Sequence, residues 1–328
     1  MHALLSAFAP IWMLTAAGYA VGRSGLLGAQ AEAVLGRFVF HVAMPAALFT
    51  MVSGARPAGF AHLPMVAFAA ATALVSGPGY VVARRFFGRG RADGAISSMA
   101  SGYVNSANLG IPVAVQVLGD ASFVAQVILF QVLVVSPVIL TLLDSGTRAG
   151  GGPEGGPGSG PGVGRPGGGL RRMLTMPVRN PVILASLLGV AVSAAGLRLP
   201  AALTHSCDLL GAAAVPTALV TLGLSLHGGP ANRTRRVAGR TEVGAAVALK
   251  TLVQPLIAFL VAGPLLGLPD HQVLAVVLCS ALPTAQNAFI YAREYGLDTG
   301  LARDSVVAST VVSMVTLSFA TWALGPNH

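Results

Sequence analysis

Two short stretches of this chain carry the side chains best suited to hold a solute. The first reads Asn105-Ser-Ala-Asn108-Leu-Gly110-Ile-Pro112 and the second Pro283-Thr284-Ala-Gln286-Asn287. Each joins a proline to carboxamides inside a long apolar run. Proline removes a backbone donor and disfavours helix in the preceding residue. Gly110 loosens the same turn. The expectation is an unwound stretch near Pro112, with a second half-helix starting there, because proline suits a helix's first turn. The new N-terminus offers free N–H groups and partial positive charge, which attract an anion. Asn105, Asn108, Thr284, Gln286 and Asn287 add hydrogen bonds without a buried charge. The alternative reading of each stretch is a packing kink whose amides satisfy freed carbonyls. Polar groups inside a membrane segment point to function by default.

Two titratable groups are further candidates, for coupling or as a counter-ion. Lys250 is the only lysine and lies in an apolar segment near Gln254 and Pro255. One reading makes it a substrate counter-ion or proton relay; the other lets it snorkel to the interface. His41, four residues before Pro45, either takes a proton during transport or is an ordinary satisfied polar residue. Gln126 and Gln131 read as helix-to-helix glue away from both stretches. Asp208 reads as an interfacial charge. Cys207 and Cys279 have no metal-type spacing and read as free thiols. No catalytic set and no metal cluster stands out.

Composition dictates the setting for these groups. The 328 residues are 54% hydrophobic and 9% charged, with a mean hydropathy of +0.74. Soluble domains carry about 25% charged residues, so the chain reads as an integral membrane protein. A spanning helix needs about 20 mostly apolar residues. Ten segments qualify: 3–21, 34–52, 63–82, 96–118, 123–143, 182–197, 209–226, 243–266, 273–291 and 306–324. The first apolar run has no basic residues before it, unlike a cleaved signal peptide. Helices are the default in lipid, and period-two alternation is absent.

The run from 144 to 170 is rich in Gly and Pro and reads as a disordered cytoplasmic linker. It separates a first five-helix half, 1–143, from a second, 171–328. With the N-terminus outside, seventeen arginines fall on the cytoplasmic side; Arg56 and Arg198 fall outside, and Lys250 lies within a span. The net charge of +9 is therefore a topology signal rather than a nucleic-acid surface. Both termini are expected outside and the linker inside the cell.

The halves also share spacing. Pro10 and Pro181, Pro45 and Pro216, and Pro112 and Pro283 are each separated by 171 residues. An odd number of helices per half forces the second half to insert upside down. The expected fold is all-α, with two inverted five-helix repeats and broken, crossing helices four and nine.

These motifs resemble the auxin efflux carrier family, which includes bacterial malonate and malate permeases. Segment four matches Asn-x-x-x-Leu-Gly-Ile-Pro at Asn105, Leu109, Gly110, Ile111 and Pro112. Segment nine matches at Leu282, Pro283, Ala285, Asn287, Ala288 and Phe289, followed by Tyr295-Gly296. The resemblance implies a scaffold of helices one, two, six and seven that forms a homodimer. It implies a mobile transport body of helices three to five and eight to ten. A small organic carboxylate would sit at the crossing of helices four and nine, with Asn105 and Asn287 as the crossing amides. Asn108, Gly110, Pro112, Pro283, Thr284 and Gln286 complete the candidate set. No cofactor is implied; coupling to a proton or to sodium stays open, and the absence of an acid near either break favours a proton or none. The alternatives are a sodium-coupled organic anion symporter of the bile-acid type and a receptor on the same fold. A membrane enzyme would need an acidic, Glu/His or Ser–His set at mid-depth, and the sequence shows none.

Overall fold

The computed structural model describes residues 2–54, 62–149, 181–197, 199–227 and 239–325. All the regular structure among them is helical. In chain order the helices are α1 (His2–Ser24), α2 (Ala31–Ser53), α3 (Leu63–Arg85), α4 (Arg91–Gly102), α5 (Ser106–Leu118) and α6 (Ser122–Thr147). They continue with α7 (Pro181–Ala194), α8 (Ala201–Leu226), α9 (Arg240–Leu265), α10 (Asp270–Ala281), α11 (Asn287–Glu294) and α12 (Thr299–Leu324). Six of them, α2, α3, α6, α8, α9 and α12, are long and apolar enough to cross a membrane. Large apolar side chains such as Leu74, Val115, Leu256 and Val315 stand exposed, a surface that lipid rather than water solvates.

Several helices outrun the apolar segments. α8 starts at Ala201 and α12 at Thr299, although the apolar runs start at 209 and 306. Hydropathy marks only the lipid-soluble stretch, whereas i→i−4 bonding continues through polar turns such as Thr204-His205-Ser206. The last turn of α6 likewise reaches past Leu143 to Thr147. The first residues assigned to the linker are therefore helical; from 150 the linker lies outside the described residues.

Five wide π-turns interrupt the helices among the described residues, at Val39–Ala43, Ser106–Gly110, Gln131–Val135, Leu249–Val253 and Val261–Leu265. The last holds Pro264 within it, and each of the first four is followed, two residues after its end, by a proline: Pro45, Pro112, Pro137 and Pro255. The proline has no N–H for the carbonyl four back and its ring crowds that turn. The turn widens instead of breaking, and the residue before each proline bonds five back, as Ile111 N–H does to Ser106 O. His41, Asn108, Gln131 and Lys250 all ride in these turns.

Helix pairing is regular. α1 packs on α8, α2 on α7, α3 on α4, and α10 on α9 and α12. The α1–α8 contact runs through Gly18 and Gly223. A Cβ at Gly18 would lie 2.3 Å from Val220 O, and one at Gly223 would lie 2.1 Å from Thr15 O. Only glycine permits that backbone approach, the small-residue packing typical of helices in lipid.

Both candidate stretches interrupt their helices, but one break is displaced from its expected place. Between α4 and α5 the chain is extended at Tyr103 (ψ 109°) and non-helical at Asn105 (ψ 61°). Pro112 lies in the first turn of the helix Ile111–Leu118 and produces the π-turn before it, not the break. Between α10 and α11 the break covers 282–286 and contains Pro283 itself. Two large apolar clusters flank the interruptions. One takes Val104 and Leu282, the other Tyr103 and Ala285.

Candidate functional site

The two breaks meet. Val104 and Thr284 form an isolated antiparallel bridge between otherwise helical segments. Asn105 N–H donates to Pro283 O at 2.8 Å, and Ala285 N–H donates to Tyr103 O at 3.1 Å. Extended backbone inside an apolar core needs partners for every N–H and C=O. Each break supplies them to the other. This explains the displacement from Pro112: the position that opens is the one that can pair across. Val104 and Thr284 are 180 residues apart, so the spacing of 171 aligns the prolines but not the breaks.

The side chains at the crossing divide into spent and unspent groups. Thr284 is fully buried; its hydroxyl donates to Ala100 O at 2.6 Å and its N–H to Ser309 Oγ at 3.0 Å. Gln131 Nε2 donates to Val104 O at 3.0 Å, while Gln131 Oε1 accepts from Ser106 Oγ. The Tyr103 hydroxyl pairs with Ser136 Oγ at 2.9 Å, with Asn287 in reach of the same hydroxyl. Asn105 is 4% exposed, and Asn108 and Asn287 are half-buried. Gln286 is 3% exposed, and its Oε1 has no partner among the described residues. Gly110 lies against the second break: a Cβ there would meet Leu282 Cδ1 at 3.1 Å.

Lys250 braces both breaks from behind. It is fully buried, so the snorkelling reading does not hold. Its Nζ donates to Ser280 O at 2.8 Å and to Gln254 Oε1 at 2.7 Å. Ser280 is in the last turn of α10, where carbonyls lack helical partners and the helix end carries partial negative charge. Gln254 Nε2 donates in turn to Gly102 O at 3.2 Å, the last residue of α4, and to Thr72 Oγ1 at 3.3 Å. One turn of α9 thus ties the C-terminal ends of both interrupted half-helices.

His41 is not at the crossing. Its Nε2 lies 3.4 Å from Glu294 Oε1, at the far end of α11. At ~1.5 Å per residue that is about 10 Å along α11 from Asn287. Arg293 beside it pairs with Glu32, so both contacts bind α2 to α11. A further ionic knot fixes the start of α4. Arg89 donates to Glu242 at 2.7 and 2.9 Å and to Asp298 at 3.2 Å. The Glu242 carboxylate holds the Arg89 guanidinium above its ordinary pKa.

Gln131, Gln254, Ser136 and Ser309 serve the crossing without having been singled out for it from the sequence. Gln131 read as glue away from the breaks; it is glue, but at the first break. Its signal was an intramembrane carboxamide six residues before a proline. Gln126 is elsewhere, receiving a hydrogen bond from His62 Nε2. That pair lines a cavity of about 890 Å³ with Asp120, Ser122, His271 and Gln272. Cys207 and Cys279 are free thiols, as expected.

Known proteins resemble the chain along nearly all its length. It is 26% identical over 319 residues to a Rhizobium meliloti protein named "Putative malonate transporter", covering 94% of this chain and 92% of that one. It is 29% identical over 311 residues to an "Uncharacterized transporter" of Methanothermobacter thermautotrophicus, covering 94% of each. It is 25% identical over 314 residues to "Uncharacterized transporter YfdV" of Escherichia coli, covering 94% and 93%. Residues 3–149 and 170–321 match the sequence model of the family described as "Membrane transport protein". A multi-pass helical chain with two interrupted, mutually paired segments thus belongs to that family of membrane transport proteins, the auxin efflux carriers its motifs resemble.

Proposed function

We propose that the chain is a secondary transporter of a small organic carboxylate, working by alternating access, with the solute held where the two breaks cross. The observation that carries this is the antiparallel pairing of Tyr103–Asn105 with Pro283–Ala285 inside helical surroundings. Discontinuous helices at mid-depth are how transporters place polar groups around a solute without exposing backbone to lipid. Asn105, Asn108 and Asn287 offer amide donors, and the N–H groups of α11 add partial positive charge. The relative named for malonate supports a carboxylate.

In this reading the membrane contains ten spans in two inverted repeats, with α4–α5 and α10–α11 as the interrupted fourth and ninth. The paired helices α1, α2, α7 and α8 form the dimerising scaffold, and the rest moves. The chain resides in the inner membrane with both termini outside. Uptake of radiolabelled malonate into proteoliposomes tests the proposal, with pH and sodium varied separately to read the coupling ion. Asn105→Ala and Asn287→Ala should each lower uptake at least tenfold while the protein still purifies folded. Unchanged binding and transport in both would remove the crossing from consideration as the site.

A further inference from the structure

Within the second break itself, 282–286, Gln286 is the acceptor left over; Ser280 Oγ, in the last turn of α10, is a second buried oxygen without a partner among the described residues. It forms the N-cap of α11, next to Asn287, and follows directly on the extended segment that pairs with the first break. Its Oε1 is buried and unpartnered among the described residues. The groups around it are committed elsewhere. Thr284 serves Ala100 and Ser309, and Gln131 serves Val104 and Ser106. The Tyr103 hydroxyl serves Ser136. An unmatched buried acceptor is costly, and a matching donor removes that cost. Asparagine amides and the positive end of α11 are the donors of this region, and they suit a carboxylate. A carboxylate oxygen against Gln286 Oε1 would set acceptor against acceptor.

We propose that Gln286 makes the site selective for carboxylates that also bring an O–H: a diacid that keeps one proton, or a hydroxy acid. The inference rests on the crossing being the carboxylate site. The substrate's ionised carboxylate accepts from the asparagine amides and the N-terminus of α11. Its O–H donates to Gln286 Oε1. A fully ionised diacid has no such donor. Sites that hydrogen-bond a particular hydroxyl discriminate strongly against analogues lacking it, because the protein's own group is then left unpaired.

The test measures binding of radiolabelled malonate and hydroxymalonate to the full-length protein, from mildly acidic to mildly alkaline pH at fixed sodium. Malonate loses its donor as its second carboxyl ionises; the hydroxyl of hydroxymalonate stays protonated. Malonate affinity should therefore fall about tenfold per pH unit once the monoanion becomes the minor form. The ratio of hydroxymalonate to malonate affinity should rise with pH. The ionisable side chains nearby are Tyr103, Tyr291, Cys279 and Lys250 around the crossing, and His41, Glu294, Arg293, Arg303 and Asp304 on the helices packed on α11 or at its end. They act on both ligands, so the ratio isolates the ligand's own proton. In Gln286→Leu the ratio should be flat. A flat ratio in the unaltered protein, or the same slope in Gln286→Leu, would overturn the inference. Should Gln286→Leu fail to fold, the unaltered protein's slope alone decides. If the unaltered protein binds neither acid, the carboxylate reading itself falls, a result distinct from a flat ratio.

Discussion

The two breaks share one backbone pairing but are held in different ways. The first, Tyr103–Asn105, is fastened by α6, through Gln131 and Ser136. The second, around Thr284, is fastened by α4 and α12, through Ala100 O and Ser309. The first spends its side-chain partners fully on structure, apart from Asn105 and its neighbour Asn108. The second retains Gln286 and Asn287 beside a helix start. An approximate symmetry of backbone thus carries an asymmetric set of side chains. If the crossing holds the solute as proposed, a small molecule with two unlike ends would suit it better than a symmetric one.

The brace shared by both breaks gives the largest expected effect. Lys250→Met should leave a folded protein, since apolar replacement of a buried charge is often tolerated. It should nevertheless lower transport more than tenfold, because Ser280 O and Gln254 lose their tether together. Near-normal uptake would show that the breaks hold themselves. Gln131→Leu and Thr284→Val then separate the two. Gln131 makes two side-chain hydrogen bonds at its break, so Gln131→Leu should destabilise by about 2 kcal/mol, at ~1 kcal/mol each. Thr284→Val removes one side-chain bond and should cost about 1 kcal/mol. Thermal unfolding in detergent reads both; the reverse order would mean that the second break, not the first, is the more tightly fastened. The smallest effect belongs to His41→Ala. His41 is half exposed, and its pair with Glu294 should be worth under about 0.5 kcal/mol. A large loss of transport on this substitution would return His41 to the transport machinery.

The interruptions were legible in the sequence as amide-rich prolines, but their exact places were not. Proline marks where an N–H is missing, and a helix can absorb that loss locally by widening a turn. Pro45, Pro112, Pro137 and Pro255 all act this way. Where a helix opens instead is decided by a partner from 180 residues away, and no local pattern records it. The same limit hid Gln254, whose value lies in reaching Gly102 O. Lys250 was conspicuous as the sole lysine, but its role was not, because its acceptors are backbone carbonyls that any sequence provides. The linker and the loop around Arg56 lie outside the described residues and add nothing to either side of this comparison.

The placement of Lys250 has an electrical consequence. Held as an ammonium, it would be a positive charge beside the crossing, with carbonyl and amide oxygens as its hydrogen-bond partners. If the crossing moves across the membrane field, that charge moves with it. One elementary charge carried through the whole field is worth about 2.3 kcal/mol per 100 mV. On the proposed function, a bound monoanion would cancel that charge, leaving the loaded step nearly insensitive to voltage and the empty return step sensitive to it. The membrane potential would then act on the rate of resetting rather than on the grip for the solute.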